Sequence, residues 1–146
     1  MCNDKALCEK ERRREVQNVL EIGIKGKESV KVVHENTAAA VGSGMLEVFA
    51  TPAMIALMEK TACNSVAPYL EEGSGTVGTE LNIKHVAATP VGMTVTCESE
   101  LVEIDGRRLA FTVTASDEKG LIGQGTHERF IVNNEKFQSK ADSKRQ

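Results

Sequence analysis

The chain has 146 residues and a mass of 15.8 kDa, the length of one domain that buries its own core without a metal or disulfide staple. Its 18 Lys and Arg nearly balance 21 Asp and Glu, for a net charge of −3, and aromatics are 3% with no Trp. This composition argues against a nucleic-acid partner, which calls for a basic excess or base-stacking rings, and no apolar run reaches the ~18 residues of a membrane span.

Residues 1–20 form a charged N-terminal arm, 21–132 the expected domain, and 133–146 a polar C-terminal tail expected to fray. The arm carries Arg12, Arg13 and Arg14 among charges that nearly cancel, and reads as a solvated segment. It lacks the apolar stretch of a secretory signal. The cysteines are Cys2, Cys8, Cys63 and Cys97, with no C-x-x-C pair. Zinc is therefore unsupported, and free thiols in a cytoplasmic protein are expected.

Within the domain, 21–34 reads as a strand with a turn or bulge between Gly23 and Gly26. Residues 37–50 are small and Gly-rich, a loop or short helical turn. From Thr51 to Val66 the apolar positions Met54, Leu57, Met58, Ala62 and Val66 share a helical face. Thr51 before Pro52 predicts an N-cap followed by proline at the first helical position. Four strands follow, at about 76–89, 92–104, 107–118 and 121–132, with breaks at Thr89-Pro90, Asp105-Gly106 and Glu118-Lys119-Gly120. The expected class is α+β, with one long helix against a curled antiparallel sheet of about five strands. The small residues Ala53, Ala56 and Ala62 let that helix lie close to the sheet.

Three polar residues disturb this pattern. Strict alternation along 76–89 places His85 on a face with Val77, Thr79, Leu81, Ile83 and Ala87. Glu59 lies eight residues after Thr51, two helical turns on, beside Leu57 and Met58. Read singly, each has an ordinary explanation: a hydrogen-bonded core histidine, a flanking surface glutamate, a capping threonine. Read together they bring a carboxylate, an imidazole and a hydroxyl to one crevice, where protons can be exchanged. The helix start adds free N–H groups that can hold the oxyanion of an attacked thioester. Cys63 is a possible nucleophile, but no spacing favours it over a buried structural thiol.

The segment from Val48 to Glu59, Gly78 to His85, and Ala87-Ala-Thr-Pro-Val-Gly92 resemble the fluoroacetyl-CoA thioesterase family of hotdog-fold acyl-CoA thioesterases. The resemblance spans about 21–132. It implies a hotdog fold, hydrolysis of an acyl-CoA thioester, and Thr51, Glu59 and His85 as the catalytic set. It further implies Gly78 and Arg129 beside the acyl group, no metal, and no cofactor beyond the coenzyme A of the substrate. It also implies a homodimer or dimer of dimers with sites between protomers. In one respect the chain departs from the family: Ala38 to Gly44 has no phenylalanine where the fluoroacetyl-specific enzyme has a bulky aromatic lid. A short or small acyl group without fluorine selectivity is thus the expected substrate. The alternative is a non-catalytic binder of acyl-CoA or another hydrophobic ligand on the same fold.

Overall fold

The computed structural model describes residues 19–146, so nearly all of the expected charged arm, with Cys2, Cys8 and the arginine run, lies outside the described residues. Five antiparallel strands form one sheet: β1 (Lys25–Lys31), β2 (Ser74–His85), β3 (Thr94–Asp105), β4 (Arg108–Asp117) and β5 (Gly120–Asn133). Their order is β1-β3-β4-β5-β2, which leaves β1 and β2 as edges. A short helix, α1 (Ala38–Val41), precedes the long α2 (Thr51–Val66), and α3 (Asn134–Asp142) ends the chain with one 3-10 turn. One helix wrapped by five strands is the expected α+β architecture.

The core follows from two periodicities. Met54, Leu57, Met58, Thr61, Ala62 and Val66 bury one face of α2. Alternate residues of β3 and β4 meet it: Val95, Cys97, Leu101, Leu109, Phe111, Val113 and Ala115 are all buried. The helix lies directly on β1 at Gly26, where a Cβ would stand 2.7 Å from Ser65 Cβ, Ser99 Oγ and the Thr61 carbonyl oxygen. Cys63 and Cys97 are free thiols, and no helix among the described residues is long and apolar enough to cross a membrane.

Several boundaries differ from those expected. The first strand begins at Lys25, because Gly23 turns the chain at φ 101°. The tail does not fray over 134–142. Asn133 caps α3 by accepting from the Lys136 N–H at 3.0 Å, and the Asn134 N–H donates to the Gly73 carbonyl. Residues 37–50 form an excursion closed on itself: Thr37 bridges Phe49, and the Ala38 and Ala39 N–H groups donate to the Val48 and Leu46 carbonyls. Thr37 caps α1 and Gly42 ends it in the left-handed region.

Candidate active site

The start of α2 is held by Phe49 and Ala50, both buried, with the Ala50 N–H donating to the Asn36 carbonyl. Ala50 is the N-cap, in extended geometry, so Thr51 is the first helical residue and not the cap expected from Thr-Pro. Its hydroxyl is thereby free of the backbone and lies 2.8 Å from His85 Nδ1. Alanine offers no capping side chain, and Pro52 no N–H, so N–H groups of this first turn are left without a side-chain cap among the described residues. Thr51 and His85 border an open cleft of about 310 Å³, also lined by Ala38, Phe49, Val86 and Ala88.

His85 ends β2. Its Nε2 is buried and has no hydrogen-bond partner among the described residues. Burial lowers its pKa below the usual 6.5, and the nearby Ala87 backbone only partly offsets this. The ring is therefore neutral at pH 7 and able to accept a proton. Two effects follow. The acid limb of any reaction that uses His85 as a base lies below pH 6.5. The unfolded chain, with the higher pKa, takes up the proton first, so the stability tied to His85 is present above pH 6.5 and is lost as pH falls through the folded value. Following the His85 ring by NMR titration checks both, and a midpoint at or above 6.5 contradicts them.

Glu59 is placed elsewhere. Its Oε2 accepts from Arg129 Nη1 at 3.3 Å, and its side chain is 40% exposed. Arg129 is buried and also donates to Thr76, from Nε to Oγ1 at 2.8 Å and from Nη2 to the carbonyl at 2.9 Å. Eight residues at ~1.5 Å rise separate Thr51 from Glu59 by ~12 Å along α2, too far for a shared proton within one chain. The structure unites Thr51 with His85, and Glu59 with Arg129 and Gly78, as two clusters.

A bulge explains Gly78. Strict alternation puts Gly78 on the face opposite His85, but the β2–β5 register shifts between Gly78 and Glu80. The extra residue, Thr79, returns Thr76 and Gly78 to the inward face shared by Leu81, Ile83 and His85. A Cβ at Gly78 would collide with Glu59 Oε2, and would lie 3.2 Å from Arg129 Nη1 and 3.3 Å from His127 Cε1. His127, buried beside Arg129, escapes the sequence reading. The signal is present: Gly125, His127, Arg129 and Ile131 alternate onto one face of β5.

Comparison with known proteins identifies the family and the fold. Residues 32–135 match the model of the family described as fluoroacetyl-CoA-specific thioesterase. The fluoroacetyl-CoA thioesterase of Streptantibioticus cattleyicolor is 49% identical over 98 residues, 67% of this chain and 70% of the relative. A solved structure of the fluoroacetyl-CoA thioesterase FlK is 39% identical, with a TM-score of 0.81 over 86% of this chain and 97% of that one. A hypothetical protein of Thermus thermophilus, a thioesterase superfamily member, is 28% identical, with a TM-score of 0.79 over 86% and 93% of the two chains. The hotdog fold expected from the sequence is shown, and the chain belongs to the fluoroacetyl-CoA-specific thioesterase family.

Proposed function

We propose that this chain hydrolyses short acyl-CoA thioesters, releasing the free acid and coenzyme A, with Thr51, His85 and Glu59 as its catalytic residues. The observation that carries the proposal is the 2.8 Å contact between Thr51 Oγ1 and His85 Nδ1 at an uncapped helix start. There the hydroxyl can pass its proton to Nδ1, or hold a water that does. The attacked carbonyl carbon becomes tetrahedral, and its oxyanion meets the N–H groups of the first turn of α2. The carbon–sulfur bond then breaks, and the proton held by His85 neutralises the leaving thiolate; where Thr51 has attacked, a water then hydrolyses its acyl ester, releasing the acid and restoring the hydroxyl. The reading needs no metal, and no cofactor beyond the coenzyme A of the substrate. A quenched single turnover analysed by mass spectrometry separates the two routes. Attack by Thr51 leaves an acyl adduct on the chain, and attack by water leaves none.

The same proposal makes the working unit a symmetric homodimer, alone or within a dimer of dimers. The β2 edge is open to pairing. Seven residues of strand separate Gly78 from His85, ~23 Å. An antiparallel pairing of β2 with its copy, centred between Leu81 and Asn82, would therefore set Gly78 and Glu59 of one protomer across from His85 of the other. Each site would then take Thr51 and His85 from one chain and Glu59, with Gly78 and Arg129 beside the acyl group, from its partner. Light scattering is expected to give at least a dimer, and a fully active monomer overturns this assembly. The free thiols Cys63 and Cys97 support a cytoplasmic, reducing location.

The cleft lies at the small end of ligand pockets, ~300–1,000 Å³, which suits the thioester and a short acyl group. Residues 38–48 place no aromatic over it: Val41, Met45 and Leu46 point largely to solvent, and Phe49 is buried at its floor. Such a gate separates small acyl groups by only ~1–3 kcal/mol, or ~10–200-fold. The test is coenzyme A release by purified protein, read with a thiol reagent, from acetyl-, fluoroacetyl-, propionyl- and butyryl-CoA. Release from several of them with modest selectivity is expected. Binding without release would return the chain to the binder reading, and a fluoroacetyl preference above ~10⁴-fold, beyond that range, would place a gate elsewhere.

A further inference from the structure

The cluster behind Glu59 contains a histidine whose protonation state its neighbours dictate. His127 Nδ1 lies 2.8 Å from the Glu80 carbonyl oxygen, which can only accept, so Nδ1 carries a proton. His127 Nε2 lies 3.1 Å from Arg129 Nη1, a guanidinium nitrogen that can only donate, so Nε2 carries none. The ring is buried and tilted against Phe111 at 6.2 Å. Arg129 Nη1 thus has two acceptors, His127 on one side and Glu59 on the other.

We propose that His127 is a positioning residue: a neutral, buried acceptor that fixes the Arg129 guanidinium and, through it, the Glu59 carboxylate. The proposal rests on the reading of Glu59 as catalytic. The groups that face His127 can be named element by element. Arg129 adjoins it on β5, the Glu59 carboxylate approaches from α2, and β2 offers the Glu80 carbonyl and the bare backbone of Gly78. From β4 comes the Phe111 ring. Burial lowers the His127 pKa; the Glu80 hydrogen bond opposes this, the Arg129 charge adds to it, and Glu59 opposes it. Protonation would place an N–H on Nε2, facing the N–H groups of Arg129. The guanidinium would lose an acceptor and gain a like charge, and Glu59 would lose its fixed partner. As pH falls, the unprotonated form that holds Arg129 is depleted, so activity carried by Glu59 falls with it.

The experiment compares His127→Gln, His127→Leu and Glu59→Gln in the full chain. A glutamine oxygen can replace Nε2 as the acceptor for Arg129, whereas leucine cannot. For acetyl-CoA, the leucine variant is expected to lose ~10-fold or more in kcat with little change in KM, and the glutamine variant to recover most of that loss. The acid limb of kcat/KM should lose one proton of dependence in the glutamine variant, a change that a merely structural role would not produce. Independently of activity, 15N NMR of the wild-type chain should show His127 neutral with its proton on Nδ1 at pH 6.5. Parental kcat in the leucine variant, while Glu59→Gln is impaired, overturns the proposal. So does an unchanged acid limb in the glutamine variant, or a charged or Nε2-protonated ring. If Glu59→Gln is itself unimpaired, the fault lies in the reading of Glu59, and the NMR result alone decides whether His127 holds Arg129 as described.

Discussion

Replacing His85 with alanine is expected to lower turnover of a short acyl-CoA by ~10²–10⁴-fold, the span of a lost general base, while the chain stays folded. The imidazole sits at the end of β2 and is only partly buried, so its removal leaves the main core of α2, β3 and β4 untouched. Thr51→Ser keeps the hydroxyl near His85 Nδ1 and should be milder than Thr51→Ala. The stability cost of Thr51→Ala has a particular source. Because Ala50 is the N-cap, the alanine variant loses no capping bond. It loses the hydrogen bond to His85, about 0.5–1.5 kcal/mol. A double-mutant cycle reads the difference. In a His85→Ala background, Thr51→Ala should cost almost nothing further in stability, whereas a lost N-cap would cost ~0.5–2 kcal/mol in either background. Near-parental turnover in the His85 variant would falsify the assignment of the base.

That contrast shows where the sequence is legible and where it is not. The helix over 51–66 can be read from its apolar period and from Pro52, and the β3–β4 hairpin from Asp105-Gly106. Both are local signals, and local signals carry element type. The cap is misread because Thr before Pro meets the local preference. A tertiary contact decides instead: Ala50 is anchored to Asn36, and the threonine hydroxyl finds His85 34 residues away. The face of Gly78 is misread because Val77, Thr79, Leu81 and Ile83 alternate through the bulge without a break. Only the pairing of Gly78 with Arg129 and of Glu80 with Glu128 reveals the extra residue. Spacing places Glu59 two helical turns, ~12 Å, beyond Thr51. It does not show that Glu59 is tied to Arg129 instead of His85.

The substitution of Gly78 by alanine is expected to nearly abolish activity while sparing the fold. A Cβ there would overlap Glu59 Oε2, the far end of a flexible side chain, so the carboxylate moves and the strand does not. Arg129 Nη1 and His127 Cε1 already stand 3.2 and 3.3 Å from the added carbon, and they close the inward direction. The carboxylate therefore swings toward solvent, to which Glu59 is already 40% open, and leaves the guanidinium. Stability should change little, because the ~0.5–1 kcal/mol relieved by removing glycine from a strand interior is offset by the lost contact of Glu59 with the buried Arg129 guanidinium. Turnover should fall about as far as in Glu59→Gln, ~10²-fold or more, since both variants take the same carboxylate out of proton transfer. Thermal melts and kcat for the two single variants and their double check this. In the double variant the losses should not multiply, because a glutamine at 59 has no catalytic charge left to displace. Parental turnover in Gly78→Ala, or losses that multiply in the double variant, would show that Gly78 acts on the substrate directly and not by making room for Glu59.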